Sequence, residues 1–481
     1  LLVGNLGMRL WTLRTPGLGG DAAFKWFFLR SWSANNPWIF DHHTARFSVN
    51  LPAWLALRLL GSHPNVMYVA PLTAAIVQVW LLYAIGRALS LRAAGVLACL
   101  LLLLFEPMTD AASQFLPGIF QATYVLGALH AVVRFGQEPG RRRWSIAAGI
   151  WLFAAYMAMV TTVYVVPGFV LALWLTRRRV ADVAWALGPF AALWALETAG
   201  YALWSEYPFG QFQLILSTHT DVKPVSFWGL FGRYAVLPWD WQLALVLWLC
   251  SAAVLIPTGR RARLWALWLF PASLLFGMTF GIKHLDPLIP ATDFSIRYCD
   301  VLAPLVALCL AIAACLGAAA LPVRVPLPSV ARWPLVAAAM GAVVVGAARL
   351  YQLPAGHALA INHAQWQTLN DAYARGLPIV GANRDNHFQM KTLVCIQWAY
   401  LSDALIRVDG ALVLTRQGKT QVGSRSHRYV TREERSPESV SRAIRQHRCM
   451  VAATRRQGEP KLELRLYDGP ECPGYGGGQT D

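Results

Sequence analysis

The chain has 481 residues, 56% of them hydrophobic and 14% charged, against roughly 45–50% and about 25% in soluble domains. That balance excludes a soluble protein over most of its length. A net charge of +17 raises nucleic acid as a partner. The excess arginines, however, lie in short runs between apolar stretches, and no basic patch interleaved with aromatics occurs, so no nucleic acid is expected.

Charge divides the chain in two. Residues 1–353 hold 25 Lys/Arg and 13 Asp/Glu, whereas residues 354–481 hold 17 and 12. The first part reads as a membrane domain and the second as a small soluble one.

About eleven residues precede the first loop, whereas spanning needs roughly 20. They read as a trimmed first transmembrane helix rather than a signal peptide. The loop 12–65 follows. Its segments 21–34 and 46–60 set Trp, Phe and Leu beside Lys and Arg, the pattern of helices lying in the membrane interface. The loop also carries Asp21, Asp41, His42, His43 and Arg46. The plainer reading of these is an anchoring loop with solvated side chains.

Apolar runs then recur at 66–86, 94–109, 117–135, 145–158, 160–176, 181–203, 236–256, 264–282, 298–320 and 333–352. Backbone in lipid must pair within itself, and no alternating barrel strands are present, so these runs predict helices. With the first helix they make about ten to eleven spans. The fourth and fifth runs are short and nearly continuous.

Arginines assign the two faces. Arg87 and Arg92 follow the first run, Arg134 and Arg141–Arg143 the third, Arg177–Arg179 the fifth, Arg260, Arg261 and Arg263 the seventh, and Arg324 and Arg332 the ninth. Every second connection is arginine-rich, which marks cytoplasmic loops. Residues 12–65, 110–116, 204–235, 283–297 and all beyond 353 then share the opposite, outer face. Twenty-one tryptophans suit the membrane boundaries.

The region 354–481 reads as α/β. A helical 358–375 precedes a strand at 378–381, further strands fall at 411–415 and 449–454, a helix at 437–447, and the glycine-rich tail reads as disordered. Five cysteines, Cys99, Cys250, Cys299, Cys309 and Cys315, lie in or beside apolar runs as packing residues. One pair among Cys395, Cys449 and Cys472 is open to a disulfide in an oxidising compartment, with Cys449–Cys472 favoured.

Several candidate residues gather on the outer face. Glu106 and Asp110 close the second run, Glu197 falls near the outer end of the sixth and needs a partner, and Lys283, Arg297 and Tyr298 precede the ninth. Each cation on its own also reads as a snorkelling or headgroup-binding side chain. Asp41, His42 and His43 are of metal-ligand type but lack a spaced third partner.

The outer loop with its early Asp21, then Arg46 before Pro52 and Trp54, and Leu60-Gly61 before the next helix, resembles the glycosyltransferase C superfamily. These are the polytopic enzymes that use polyprenyl-phosphate sugars. The aminoarabinose and protein-mannosyl transferases are nearest in pattern. Phe105-Glu106-Pro107 through Asp110, and Arg297-Tyr298 through Asp300 and Pro304, are similar to its later landmarks. The chain departs from the pattern with Ala22 after Asp21, with Arg46 in place of Lys-Pro-Pro, and with Gly118 where an acid is expected.

The resemblance implies an all-α polytopic catalytic domain with a small α/β domain after it. The activity implied is an inverting transfer of a sugar from a polyprenyl-phosphate donor to a lipid, glycan or protein acceptor. Asp21 would act as base or orient the acceptor, the catalytic-site acids Glu106 and Asp110 would shape the acceptor pocket or, with a divalent ion, the phosphate site, and Arg46, Lys283, Arg297 and Tyr298 would bind the lipid phosphate. No cofactor is assigned, although a divalent ion at Asp41, His42 and His43 stays open. The implied location is a bacterial inner membrane with residues 354–481 in the periplasm. Two rivals stand beside this: a transporter or lipid flippase, against which the scarcity of midplane charge counts, and a non-catalytic scaffold.

Overall fold

The structure, a computed structural model, describes residues 2–11, 13, 29, 45–61, 63–104, 115–138, 141–177, 179–204, 209–213, 224–237, 239–255, 262–285, 288–290 and 300–320. It also describes the strand residues 379–381, 404–408, 411–415, 419–422, 429–432, 448–454 and 462–468.

Helices α1 (Leu2–Trp11), α2 (Phe47–Leu60), α3 (Val69–Ala88), α4 (Arg92–Leu104), α5 (Pro117–Gln137), α6 (Arg142–Ala158), α7 (Val166–Arg177) and α8 (Val180–Trp204) come first. After them come α9 (Phe227–Gly232), α10 (Trp239–Leu255), α11 (Ala262–Phe280) and α12 (Leu302–Ala320). Nine of the ten expected apolar runs are therefore helical, and the tenth, 333–352, lies outside the described residues. Among the described residues, Asn65–Ala88, Pro117–Gln137 and Val180–Leu203 are long and apolar enough to cross a membrane. Shorter apolar helices accompany them. The protein is a multi-pass membrane protein.

Helix α5 is the axis of the bundle and α8 is peripheral: 83% of the apolar window of α5 is buried, against 6% for α8. Helix α5 packs on α3 and α6, α6 on α8, α7 on α11, and α4 on α12. It opens with Pro117, preceded by an extended Leu116. Proline fits that first position because its missing N–H is one that a helix start leaves unused. The large side chains that remain exposed, among them Trp80, Ile150, Leu196, Leu203, Leu247 and Phe276, are apolar, as lipid contact requires.

The first three of the five expected arginine-rich connections join described helices, while Arg260, Arg261, Arg324 and Arg332 lie outside the described residues. Helix α3 ends on Arg87 and α4 begins on Arg92; α5 carries Arg134 in its last turn and α6 begins on Arg142; α7 ends on Arg177 just before α8. The nearly continuous fourth and fifth runs are two helices. Met159 is extended and a tight 3-10 turn occupies Val160–Tyr164. Gln121 stabilises that break, donating from Nε2 to Thr161 Oγ1 at 3.0 Å and to Thr162 Oγ1 at 2.9 Å.

Helix α2 occupies the segment 46–60, expected to be an amphipathic helix; the other such segment, 21–34, lies outside the described residues apart from Leu29. It buries Val49, Asn50, Ala53, Ala56 and Leu57 while exposing Leu51, Leu55 and Leu59 along the other side. Leucines spaced four apart on an uncovered face fit the acyl boundary.

Two short strands were not anticipated. β1 (Ile282–Leu285) and β2 (Leu288–Pro290) form an antiparallel hairpin in the outer loop. Val225 N donates to Leu288 O at 2.9 Å, tying the preceding outer loop to it. In the C-terminal region lie β3 (Ile379–Gly381), β4 (Ala404–Val408), β5 (Ala411–Thr415), β6 (Lys419–Val422), β7 (Tyr429–Arg432), β8 (Arg448–Thr454) and β9 (Leu462–Asp468). A five-stranded sheet runs in the order β4-β5-β3-β8-β9, with β3 and β8 parallel and the other pairs antiparallel. The strands expected at 378–381, 411–415 and 449–454 are β3, β5 and β8. The expected helices 358–375 and 437–447 lie outside the described residues. Cys99 and Cys309 are buried free thiols, as expected of packing residues, whereas the free thiols Cys315 and Cys250 are half-buried and exposed. Cys299, Cys395 and Cys472 lie outside the described residues.

Lipid tails are as apolar as leucine, so helix association here rests on close packing and interhelical hydrogen bonds. Gly149 of α6 shows the first. A Cβ at that position would lie 2.0 Å from Ala186 O of α8, whereas one at Gly188 would meet nothing within 4 Å. Gly149→Ala should therefore lower the thermal midpoint in detergent, at an overpacking cost of about 1–3 kcal/mol. Gly188→Ala should leave it unchanged or raise it, since alanine favours a helix by about 1 kcal/mol. Equal effects would contradict the packing described.

At the arginine end, Glu138 accepts from Trp144 Nε1 at 3.1 Å and pairs with Arg134, with Arg141 at 2.8 Å and with Arg143 at 3.6 Å. The indole hydrogen bond first, and the three guanidiniums with it, hold this carboxyl below the usual carboxylate range. A lowered native value stabilises the fold above the unfolded pKa of about 4.3 and is lost as pH falls through the native value. The thermal-midpoint gap between wild type and Glu138→Gln should be open at pH 7 and close on acidification below that range. A gap independent of pH would count against the pairing.

Candidate active site

Among the expected site residues, the structure describes Arg46 fully and Lys283 by its backbone. Asp21, Asp41, His42, His43, Glu106, Asp110, Arg297 and Tyr298 lie outside the described residues. Lys283 sits on β1, in the outer hairpin. Among the described residues no group of three or more His, Cys, Asp or Glu is placed to hold a metal ion.

Arg46 caps the start of α2. Its carbonyl accepts from Val49 N at 3.0 Å and Asn50 N at 2.9 Å, the first bonds of the helix. The next turn is pinned to the bundle. Ser48 Oγ donates to Ala154 O of α6 at 2.7 Å, and Tyr124 of α5 donates its hydroxyl to Ser48 O at 2.7 Å. These two bonds place the start of α2 against the outer ends of α5 and α6. Arg46 is buried there, only 9% exposed. Its neighbours in sequence, Ala45 and Phe47, pack with the buried ring of Tyr201 on α8.

Tyr201 leads to a second group. On a helix, residues four apart share a face, so Glu197 stands one turn from Tyr201. Both Tyr201 and Tyr156 of α6 lie close enough to feel the Glu197 carboxylate electrostatically. Tyr156 is itself set among aromatic rings, 6.1 Å from Phe153 and 6.1 Å from Phe190. The partner that Glu197 needs comes from the helical turn at 210–213 that follows α8: Gln211 N donates to Glu197 Oε1 at 2.9 Å. Gly210 makes this approach possible. Its backbone is left-handed, φ 66°, and a Cβ there would lie 2.9 Å from Glu197 Oε1.

A third polar point lies at the start of α5. Asp300, 5% exposed and just before α12, fills the space left by Gly118: a Cβ on Gly118 would fall 2.5 Å from Asp300 Oδ2. A carboxylate from the Arg297-to-Pro304 segment thus packs directly against the start of α5. One turn further along α5, Gln121 binds Thr161 and Thr162.

By the arginine assignment, Arg46, Tyr156, Glu197, Tyr201, Gln211, Gly118 and Asp300 all occupy the end of the bundle opposite the arginine turns. Sequence reading marked Arg46 and Glu197. It missed Tyr156, Tyr201 and Gln211, which are uncharged and sit in aromatic-rich stretches. The one signal available was the four-residue step from Glu197 to Tyr201. An apolar cavity of about 440 Å³ between α4, α10 and α12, lined by residues such as Leu101, Leu247 and Leu310, contains none of these groups.

Residues 47–202, from α2 through nearly all of α8, match the family model described as dolichyl-phosphate-mannose-protein mannosyltransferase. No curated protein matches the chain. Two solved structures are similar over 82% of this chain and 82% of theirs. One is the crystal structure of ArnT from Cupriavidus metallidurans in the apo state, at 15% identity and a TM-score of 0.49. The other is ArnT from the same organism bound to undecaprenyl phosphate, at 16% identity and a TM-score of 0.47. The family match covers 47–202 of the 481 residues and is in line with the resemblance expected from the sequence.

Proposed function

We propose that the chain transfers a sugar from a polyprenyl-phosphate donor to an acceptor at the outer face of a bacterial inner membrane, with residues 354–481 in the periplasm. The observation that carries this reading is the family match over residues 47–202. That stretch begins at the helix Arg46 caps and ends beside the carboxylate of Glu197.

In this reaction an acceptor hydroxyl or amine attacks the anomeric carbon from the face opposite the phosphate. The bond from that carbon to the phosphate oxygen breaks, polyprenyl phosphate departs with the electron pair, and the configuration inverts. Asp21 takes the acceptor's proton and stabilises positive charge developing on the ring. The phosphate is already a good leaving group and calls for charge neutralisation more than for an acid. Arg46, Lys283 and Arg297 supply cations on the same face, and an arginine fork suits phosphate oxygens. Glu106 and Asp110 shape the acceptor side, where a lipid, glycan or protein is bound.

The test uses purified chain in lipid nanodiscs with undecaprenyl phosphate carrying radiolabelled mannose, glucose or aminoarabinose, a bacterial envelope extract as acceptor mixture, and release of undecaprenyl phosphate as readout. Asp21→Asn should lower turnover by about 100-fold or more, and Arg46→Gln should raise the donor concentration needed for half-maximal rate. Undiminished turnover in Asp21→Asn removes that residue from the chemistry. Labelled lipid crossing a vesicle membrane with no bond broken would favour the transporter reading instead.

A further inference from the structure

The proposed reaction uses Arg46 and Asp21 but gives no part to the polar group shared by α6, α8 and the helical turn after α8. Three observations mark that group as a binding site. Gln211 is 0% exposed, and neither atom of its side-chain amide is hydrogen-bonded among the described residues. Glu197 commits only Oε1, to Gln211 N, while its Oε2 is buried and has no hydrogen-bond partner among the described residues. Gly210 takes up a left-handed backbone and leaves out a side chain where one would collide with this carboxylate. A buried polar atom left open is costly, and Glu197 stands on a helix that is otherwise largely apolar.

We propose that Glu197, Gln211 and Tyr156 form a glycosyl-binding subsite that holds the hydroxyl groups of the donor sugar. This rests on the reading of the chain as a polyprenyl-phosphate-sugar transferase. The chemistry selects among ligands. A carboxylate oxygen accepts, a primary amide both donates and accepts, and a phenol does both. That set matches neighbouring sugar hydroxyls, each of which is donor and acceptor at once. A free phosphate would be repelled by Glu197, a simple cation has no use for the amide N–H groups, and a hydrocarbon chain needs none of the three. Phe153 and Phe190 beside Tyr156 supply apolar walls for the C–H faces of a ring.

Position points to the donor rather than the acceptor. Tyr201, one turn from Glu197, packs with Ala45 and Phe47, the residues either side of Arg46. A sugar bonded directly to a phosphate held at Arg46 lies one ring away from it, on the side of α8.

The experiment measures binding of four radiolabelled lipids to the full chain in nanodiscs: undecaprenyl phosphate alone, and the same lipid bearing mannose, glucose or aminoarabinose. Wild type should bind at least one glycosylated lipid more tightly than the bare one. Glu197→Gln keeps the oxygen that accepts from Gln211 N, so that contact survives. It should reduce that gain about tenfold while binding of the bare lipid stays within twofold. Tyr156→Phe should reduce the gain less, again without touching the bare lipid. If both variants keep the full gain, or if wild type binds the bare lipid but favours none of the three sugars, the subsite is disproved. If wild type binds none of the four lipids, the transferase reading itself falls, and this subsite with it.

Discussion

A bilayer forbids two things at once: unpaired backbone and unpartnered charge in its hydrocarbon core. The first confines the described residues between 47 and 320 largely to helices. The second drives polar chemistry to the two ends of the bundle. Arginines cluster at the turns joining α3 to α4, α5 to α6 and α7 to α8. Buried carboxylates, amides and phenols collect at the opposite end. Glycosyl transfer from a lipid phosphate asks for that partition, because the phosphate lies at the headgroup level while its hydrocarbon stays in the core.

Two hydrogen bonds fasten the outer loop to the helical core. Ser48 reaches Ala154 and Tyr124 reaches Ser48, so α2 cannot drift along the interface even though its leucine stripe is free to sink into lipid. Arg46 is thereby held at a constant place relative to α6 and α8. The tight packing of Gly149 on Ala186 fixes the spacing between those same two helices, and with it the distance between Tyr156 and Glu197.

The membrane helices were legible in sequence because a span is a long composition signal. Their exact partners were not, since an apolar stretch says nothing of which neighbour it packs against. The break at Met159–Tyr164 illustrates the limit: hydropathy runs almost unbroken through it, and only Gln121 with Thr161 and Thr162 shows why the helix stops. Strands β3, β5 and β8 were legible as short apolar runs, β6 and β7 are four residues each and mostly polar, and the apolar β4 and alternating β9 carried a signal that was missed. At the site, charge betrayed Arg46 and Glu197. Gly118 read as a departure from the family pattern until Asp300, distant in sequence, was found against it. A contact between residues so far apart in sequence is visible only in three dimensions.

The account stands on the cluster end facing away from the cytoplasm. In a cysteine-free background, Phe209→Cys, exposed beside Gln211, and Arg141→Cys, exposed at the arginine end, can each be offered a membrane-impermeant maleimide in intact spheroplasts. Labelling of position 209 without permeabilisation, and of position 141 only after it, is the result the account predicts. The reverse pattern would put the sugar-binding end in the cytosol and contradict it.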